Sequence, residues 1–191
     1  MALDSSNARV AVTGTVSISP VGTPGPVDAN TAIATVDPLW LDLGLITEDG
    51  VSETRDRSTN TLRAWQNSAV MREVVTEADL SFGLTLAETK KETVELYYGN
   101  AVVALTGGVT IVPTKTGGRH AFVVDVIDGA AFIRTYVPSG EVLEVGEMVY
   151  QNGELIGYEV TIKAYTTSEI LDAAGDPAAA IKFYSGLVTA P

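Results

Sequence analysis

Hydrophobic and polar residues alternate with a period of two along much of this chain, which is the pattern of a β-strand with one buried face. The alternation is cleanest in the segment VMREVVTEADLSFGLTL, residues 70–86. There Leu80, Phe82, Leu84 and Leu86 fall on one side, and small or polar residues fall on the other. The segment predicts a strand with a core-facing side, around which the rest of the fold has to be arranged.

Further alternation predicts a chain that is mainly β. The other predicted strands are residues 9–18, 101–112, 119–127, 131–137, 142–151 and 154–166, followed by one short strand in IKFYSGLV. Turn-forming segments separate them, and the pair Asn152-Gly153 is the strongest signal for a tight hairpin. About eight strands and one helix predict an antiparallel β-sandwich or barrel with the helix on its flank.

The segment AETKKETVELYYGN predicts that helix at about residues 87–98, and Gly99 supplies its left-handed stop. Two capping boxes fit its start and the sequence leaves both open: Thr85 with Glu88, and Thr89 with Glu92. An apolar stripe is expected to pack against the sheet through Val94, Tyr97 and Tyr98, whereas Leu96 fits either the core or a neighbouring molecule.

A polar stretch follows the first strands. The segment RDRSTNT, residues 55–61, is too polar for a core and too long for a tight turn, so it predicts a long exposed loop. Trp65 stands next to it, and an indole in such a place is typical of an interface anchor. A mobile surface loop with no binding role fits the same pattern.

The chain of 191 residues fits a single domain. Residues 1–8 carry no pattern and are expected to form an N-terminal arm. Residues 166–191 fit either the core or a C-terminal arm, because the segment LDAAGDPAAA interrupts the strand pattern.

Composition narrows the classes of function. The formal net charge of −12 argues against a surface that clamps nucleic acid, because such surfaces neutralise phosphates with Lys and Arg. A solvated acidic surface explains the same charge. The chain has no cysteine, which excludes disulfides and thiolate metal sites and fits a reducing cytosol. With no signal peptide and no apolar run of about 20 residues, we expect no membrane anchor.

No catalytic or metal-binding motif emerges. The single histidine, His120, lies in a predicted strand, and one histidine without cysteine cannot build a zinc site. Neither a G-x-S-x-G elbow nor a P-loop occurs. We therefore predict no enzyme activity, no catalytic residues, no metal and no cofactor.

Two strings of the chain resemble a known family. The strings LGLITEDGVSETRDRSTNTLRAWQN, residues 43–67, and EADLSFGLTLAETKKETVELYYG, residues 77–99, are similar to the major tail protein of long-tailed, non-contractile bacteriophages, of the type found in phages of actinobacteria. The remainder of the chain matches that family only in its run of strands and its length.

The resemblance implies a tail tube fold, with two packed antiparallel sheets and a flanking helix. It implies hexameric rings that stack into a tube, through which double-stranded DNA leaves the capsid without specific binding. It further implies a location in the virion, assembly in the host cytoplasm, and contacts with tape measure, tail terminator and baseplate proteins.

In such tubes a long early loop reaches neighbouring subunits and one sheet lines the channel. On this sequence the loop would be residues 51–65, with the tip Arg55–Arg57 and the base at Trp65. The expected contact residues are Glu48, Asp49, Arg55, Asp56, Arg57 and Trp65. Acids expected to face the channel are Glu48, Glu53, Glu73, Glu77, Glu147 and Glu159. The alternative is a non-catalytic β-sandwich that serves as a binding or decoration module of a virion or cell surface.

Overall fold

The computed structural model describes residues 8–103 and 106–185. In this part of the chain the strands are β1 Thr13–Pro20, β2 Leu41–Asp42, β3 Ile46–Arg63, β4 Val70–Leu86, β5 Val102–Val103, β6 Gly108–Val109, β7 His120–Asp128, β8 Ala131–Val145, β9 Tyr158–Ala164, β10 Thr167–Leu171, β11 Pro177–Ala178 and β12 Ile181–Tyr184. The helices are α1 Ile33–Val36 and α2 Lys91–Tyr98. The predicted fold class, mainly β and antiparallel, is confirmed.

One large antiparallel sheet runs in the order β2-β1-β7-β8-β9-β4-β3, and β12 pairs with β8. Strand β8 divides this sheet into two halves. Its first part pairs with β7 and β12, and its last part, from Gly140 onward, pairs with β9. We call the sheet of β2, β1, β7, β12 and early β8 the first half, and the sheet of late β8, β9, β4 and β3 the second half.

The main core lies between these two halves. Val16 from β1 and Phe122 from β7 are buried in one cluster with Phe82 from β4 and Ile162 from β9. On β4, the predicted side is the one that packs, since Phe82, Leu84 and Leu86 are buried. The alternation of hydrophobic residues thus identified the inner face of the second half.

The segment Pro138-Ser139-Gly140, expected to be a turn, is instead the corner at which β8 passes from one half to the other. Irregularities in strand pairing occur beside it, which bend the strand. A Cβ on Gly140 would lie 2.9 Å from side-chain atoms of Ile162 and Phe122. Glycine is therefore needed at this corner for the two halves to close on one another.

Several other predicted boundaries were wrong. Among the described residues of the stretch 101–112, the strands are the two-residue β5 and β6. The strands that flank Asn152-Gly153 stop at Val145 and resume at Tyr158, so residues 146–157 form a longer connection. Segment 166–191 contributes β12 to the first half of the sheet, while residues 186–191 lie outside the described part of the chain, as do residues 1–7 of the expected N-terminal arm.

Helix α2 is shorter than the predicted span 87–98. Its N-cap is Lys90, without a side-chain capping hydrogen bond, so neither expected capping box closes. The Thr89 hydroxyl lies 3.1 Å from the hydroxyl of Tyr158 instead. The helix ends as expected at Gly99, which has a left-handed φ of 62°.

The buried side of α2 docks the helix on the body. Thr93 is fully buried and its hydroxyl donates to the carbonyl of Leu43 at 2.9 Å. Leu96 is part of the main core, and Val94 and Tyr97 pack against that core from the rim. Tyr98 is half-buried, with its ring at 5.0 Å from the ring of Tyr97 in an edge-to-face arrangement.

Candidate assembly surfaces

Most of the stretch predicted as a loop at residues 51–65 is instead part of strand β3, which ends at Arg63. Strand β3 pairs with β4 from Ile46 and Leu86 at one end to Arg63 and Val70 at the other, with an irregular stretch between Ile46 and Val51 and two further register shifts. Residues 64–69 form the turn between them. The polar residues in question fold as a strand because each pairs with β4, whose Val70, Val74 and Val75 favour extended backbone.

The outer part of this hairpin projects beyond the sheet. Strand β9 supports β4 only from Leu80 to Leu86, so residues 56–79 have no third strand beside them in the described chain. At about 3.3 Å per residue, this ribbon, residues 56–79, is roughly 25–30 Å long. An isolated two-stranded hairpin is marginally stable in water. The ribbon is therefore a surface that contact with a further molecule would stabilise.

Local contacts shape the tip of the ribbon. Asn67 and Ser68 adopt positive φ angles of 56° and 52°, which reverse the chain. The N–H of Ala69 donates to the carbonyl of Gln66 at 3.4 Å, and the guanidinium of Arg63 donates to the carbonyl of Ser68 at 3.1 Å. Trp65 sits in this turn with 98% of its surface exposed.

The expected positions of the contact residues within this stretch are thus reversed. Trp65 is at the tip, whereas Arg55, Asp56 and Arg57 lie at the root of the ribbon, opposite Leu80, Asp79 and Ala78. Glu48 and Asp49 lie further back, in the irregular first part of β3. The ribbon also exposes apolar residues that were not among the predicted contact residues, which are Leu62, Val70, Met71, Val74 and Val75. Their spacing on an otherwise polar strand was the available signal.

The second half of the sheet has a polar outer face. Directly opposed residues of an antiparallel pair lie on the same side, so Glu159, Thr161 and Lys163 of β9 share this face with Thr85, Gly83 and Ser81 of β4. Lys163 donates to Asp79 at 2.8 Å, and this hydrogen bond raises the pKa of Lys163. In the described residues, no second layer covers this face as the core covers the other.

The six acids expected on a channel wall do not share one face. Glu77 and Glu159 lie on the polar outer face of the second half. Glu53 lies opposite Phe82 on the core side, where it forms ion pairs with Lys182 and, at 3.6 Å, with Arg55. Glu147 belongs to the connection 146–157 and not to a strand, because β8 ends at Val145. Glu73 lies on the ribbon and Glu48 in the irregular start of β3, both exposed.

A third surface lies at the end of the second half, beyond Val145 and Tyr158. It consists of the connection between β8 and β9, residues 146–157, which we call the acidic end. Four glutamates and no lysine or arginine occur from Leu143 to Glu159. Four large apolar side chains of the connection are exposed, at 38% for Ile156, 47% for Val149, 74% for Tyr150 and 77% for Leu155. The Tyr97 hydroxyl anchors it by donating to the carbonyl of Gly146 at 2.8 Å.

The first half of the sheet is covered on its outer face by the chain itself. Arg134 and Asp125 form a buried bidentate ion pair, with N–O distances of 2.6 and 2.7 Å. The same guanidinium donates to the carbonyl of Thr31 at 2.5 Å, which holds the segment before α1 on the sheet. Trp40 packs on Tyr136 nearby, with ring centroids 6.1 Å apart.

The described residues offer no evident centre for chemistry. Among them, no cluster of His, Cys, Asp and Glu side chains could hold a metal ion. His120 lines a cleft of about 280 Å³ beside α2, together with Glu92 and Glu95, and its Nδ1 lies 3.3 Å from the carbonyl of Gly118. None of the helices in the described ranges is long and apolar enough to cross a membrane.

The chain is a mainly β, antiparallel protein. The features that stand out are its exposed surfaces, above all the projecting ribbon. Comparison with known families is more specific, because residues 1–175 match the family described as "Phage tail tube protein". The chain belongs to that family. It is a structural component of a phage tail and not an enzyme.

The other comparisons add little. A solved structure described as "Crystal structure of Hcp protein" is similar with a TM-score of 0.30 and 12% sequence identity, covering 78% of this chain and 86% of that chain. A search of curated proteins found no match.

Proposed function

We propose that this chain forms hexameric rings that stack into the tail tube of a long-tailed, non-contractile phage of the actinobacteriophage type. Subunits assemble in the host cytoplasm, and the finished tube conducts double-stranded DNA out of the capsid. Tape measure, tail terminator and baseplate proteins are the expected partners along and at the ends of the tube. Membership of the phage tail tube family supports this proposal.

The observation that carries the proposal is the ribbon, which is exposed on both faces and yet bears large apolar residues. Trp65 and Met71 are exposed at 98% and 72%. Neighbouring exposed apolar side chains on a projecting element mark an interaction site. The ribbon therefore serves as the inter-subunit element that the resemblance placed in this stretch. A decoration module would leave this element without a partner.

The polar outer face of the second half is the proposed channel wall. Six copies of a chain of net charge −12 carry roughly −72 per ring. An acidic lining repels phosphate and provides few of the Lys and Arg contacts that bind DNA. Glu77 and Glu159 are the proposed lumen acids, since both lie on this face.

Shortening the ribbon tests the proposal. Residues 62–72 are replaced by Asn-Gly, which joins the opposed residues Thr61 and Glu73 through a two-residue hairpin turn. We expect the shortened chain to fold with an unchanged far-ultraviolet spectrum and to form no tubes by negative-stain microscopy at concentrations at which the wild type does.

Two point variants provide the matched comparison. Trp65→Ala is expected to reduce tube growth strongly, because a fully exposed indole has no role in the monomer. Arg55→Ala is expected to have little effect, because exposed ion pairs contribute about 0–1 kcal/mol. Tubes of normal length from the shortened chain would refute the assignment of the ribbon to assembly.

A further inference from the structure

We propose that the ribbon tip of one subunit docks on the acidic end of a second copy of this chain. The tip comprises residues 60–75, and the acidic end comprises residues 146–157 with the flanking Glu144. This inference rests on the proposed self-assembly and deepens it by naming the surface that receives the tip.

The two surfaces lie at opposite ends of the same sheet. Along β4, Leu86 is opposite Tyr158, which follows the acidic end, and Val70 is opposite Arg63 within the tip. These positions are sixteen residues apart on one strand, or about 50 Å at 3.3 Å per residue. The tip cannot reach the acidic end of its own chain, so any contact between the two joins different molecules.

Both surfaces expose large apolar residues in the absence of a partner. Trp65 and Met71 at the tip are matched by Tyr150 and Leu155 at the acidic end, all of them exposed at 72% or more. Aromatic residues and methionine are enriched in the cores of protein interfaces. A contact between the tip and the acidic end would bury both sets together.

The charges of the two surfaces are complementary. The tip carries Arg63 and Arg72 against a single acid, Glu73, in a chain that is otherwise strongly acidic. The acidic end carries Glu144, Glu147 and Glu154 with no basic residue. Complementary potentials orient subunits, and two acidic ends or two tips would repel one another.

Such a contact is heterologous, because the two surfaces differ. Each subunit retains a free tip at one end and a free acidic end at the other, so contacts of this kind propagate in one direction. Contacts of this polarity can build a tube that grows by addition of rings in one direction. The geometry therefore points to contact from tip to acidic end as the repeating head-to-tail junction.

Site-directed cross-linking tests this pairing directly, because the chain has no cysteine of its own. The test variant carries Gln66→Cys in the tip and Asn152→Cys in the acidic end, both at exposed positions beside the proposed contact residues. The control carries Gln66→Cys with Asn30→Cys, an exposed asparagine in the cover of the first half. Under mild oxidation the test variant should give a ladder of covalent multimers, and the control should give none beyond background.

Charge reversal provides a second measurement. Arg72→Glu alone, or Glu154→Lys alone, is expected to raise the concentration needed for polymerisation roughly tenfold, by replacing attraction with repulsion. The two changes in one chain should restore polymerisation to within about threefold of the wild type. Asp176→Lys, in the turn between β10 and β11, makes the same change in net charge as Glu154→Lys and should have no effect.

The outcomes separate this inference from the proposed function, since every sample is also viewed by negative-stain microscopy. Tubes without a Gln66→Cys/Asn152→Cys ladder, or with equal ladders in test and control, would overturn the pairing and leave tube formation standing. A chain that forms neither tubes nor ladders under any condition would overturn both. Failure of the combined charge reversal to restore polymerisation would also contradict the pairing.

Discussion

Strands β7 and β4 belong to one sheet but differ in how much of each the chain buries. Residues 121–125 of β7 are buried without a break, since both faces of the first half are covered. On β4 only Phe82, Leu84 and Leu86 are buried, although β4 is the longer strand. Within the subunit, the chain covers both faces of the first half of the sheet, whereas much of the second half is exposed to solvent.

The cause of the difference is the cover over the first half. Arg134, buried with Asp125, fastens the segment 28–31 to the sheet, and Trp40 packs over Tyr136 in the same layer. The second half has no corresponding segment among the described residues, and its outer face is polar. An uncovered polar face is compatible with a water-filled channel. Uncovered apolar residues, as on the ribbon, are typical of a surface that binds another molecule.

The first prediction tests this contrast within a single strand. Phe82→Ala should destabilise the dilute subunit by about 3–5 kcal/mol, because it removes a buried ring from the main core. Val74→Ala, on the exposed ribbon of the same strand, should change the free energy of unfolding by less than about 0.5 kcal/mol. Urea unfolding of both variants measures the difference.

For variants that still fold, an effect on tube assembly is expected without a matching effect on subunit stability. Val74→Ala is expected to weaken tube formation while leaving unfolding unchanged. A loss of subunit stability from Val74→Ala comparable to that from Phe82→Ala would mean that the ribbon is part of the core, and the contrast between the two ends of β4 would be lost.

The sequence identified the inner side of β4 because buried strands require hydrophobic residues at every second position, and Leu80 to Leu86 meet that requirement. It failed for residues 51–65 because a strand exposed on both faces has no such requirement. The polar residues there predict a loop, whereas their pairing with β4 orders them as a strand. The corner at Pro138 and Gly140 was missed for a similar reason, since proline and glycine serve both turns and bends in long strands.

The positions of the residues proposed for assembly were harder to predict from the sequence. The residue type and neighbours of Trp65 predict an interface anchor, but its position at the tip depends on the register of β3 and β4. Glu53 illustrates the same limit for the acids. Its place on the core side follows from its partner Phe82 and from Lys182, which is distant in the chain.

The second prediction concerns the cover of the first half. Arg134→Leu should cost about 3 kcal/mol or more, because it leaves the carboxylate of Asp125 buried without its partner. The double variant Arg134→Leu/Asp125→Leu should recover a large part of that loss, since it removes both charges. Urea unfolding of the three proteins measures this. Equal loss in single and double variants would instead assign the stability to the hydrogen bond from Arg134 to Thr31.

The third prediction concerns the uncovered polar face, where the effect on stability should be small. Glu77→Lys and Glu159→Lys together should slow DNA ejection from assembled particles, because lysine on a channel wall binds passing phosphate. Asp176→Lys, outside this face, is the control for altered charge. Ejection at the wild-type rate from particles with both lysines would remove these acids from the proposed channel wall.

The smallest effect concerns the docking of α2 beside the acidic end, and it appears only at alkaline pH. Burial, followed by the charges of Tyr150, Glu159 and Tyr158, raises the pKa of Tyr97 above its ordinary value of 10.0. The folded state then holds the phenolic proton more tightly than the unfolded state. The corresponding stability is present below pH 10 and is lost as the pH rises through the higher folded-state pKa. Tyr97→Phe cannot ionise and also lacks the hydrogen bond to Gly146, so its melting temperature should be lower at neutral pH and should fall less steeply above pH 10. Thermal unfolding of the wild type and Tyr97→Phe from neutral to alkaline pH measures how steeply the melting temperature of each protein falls with pH. Buried Tyr136, whose pKa is also raised, is common to both proteins and cancels in the comparison. Parallel slopes would show that Tyr97 gains its proton affinity equally in the unfolded chain, and would remove the hydroxyl from the forces that hold the helix to the acidic end.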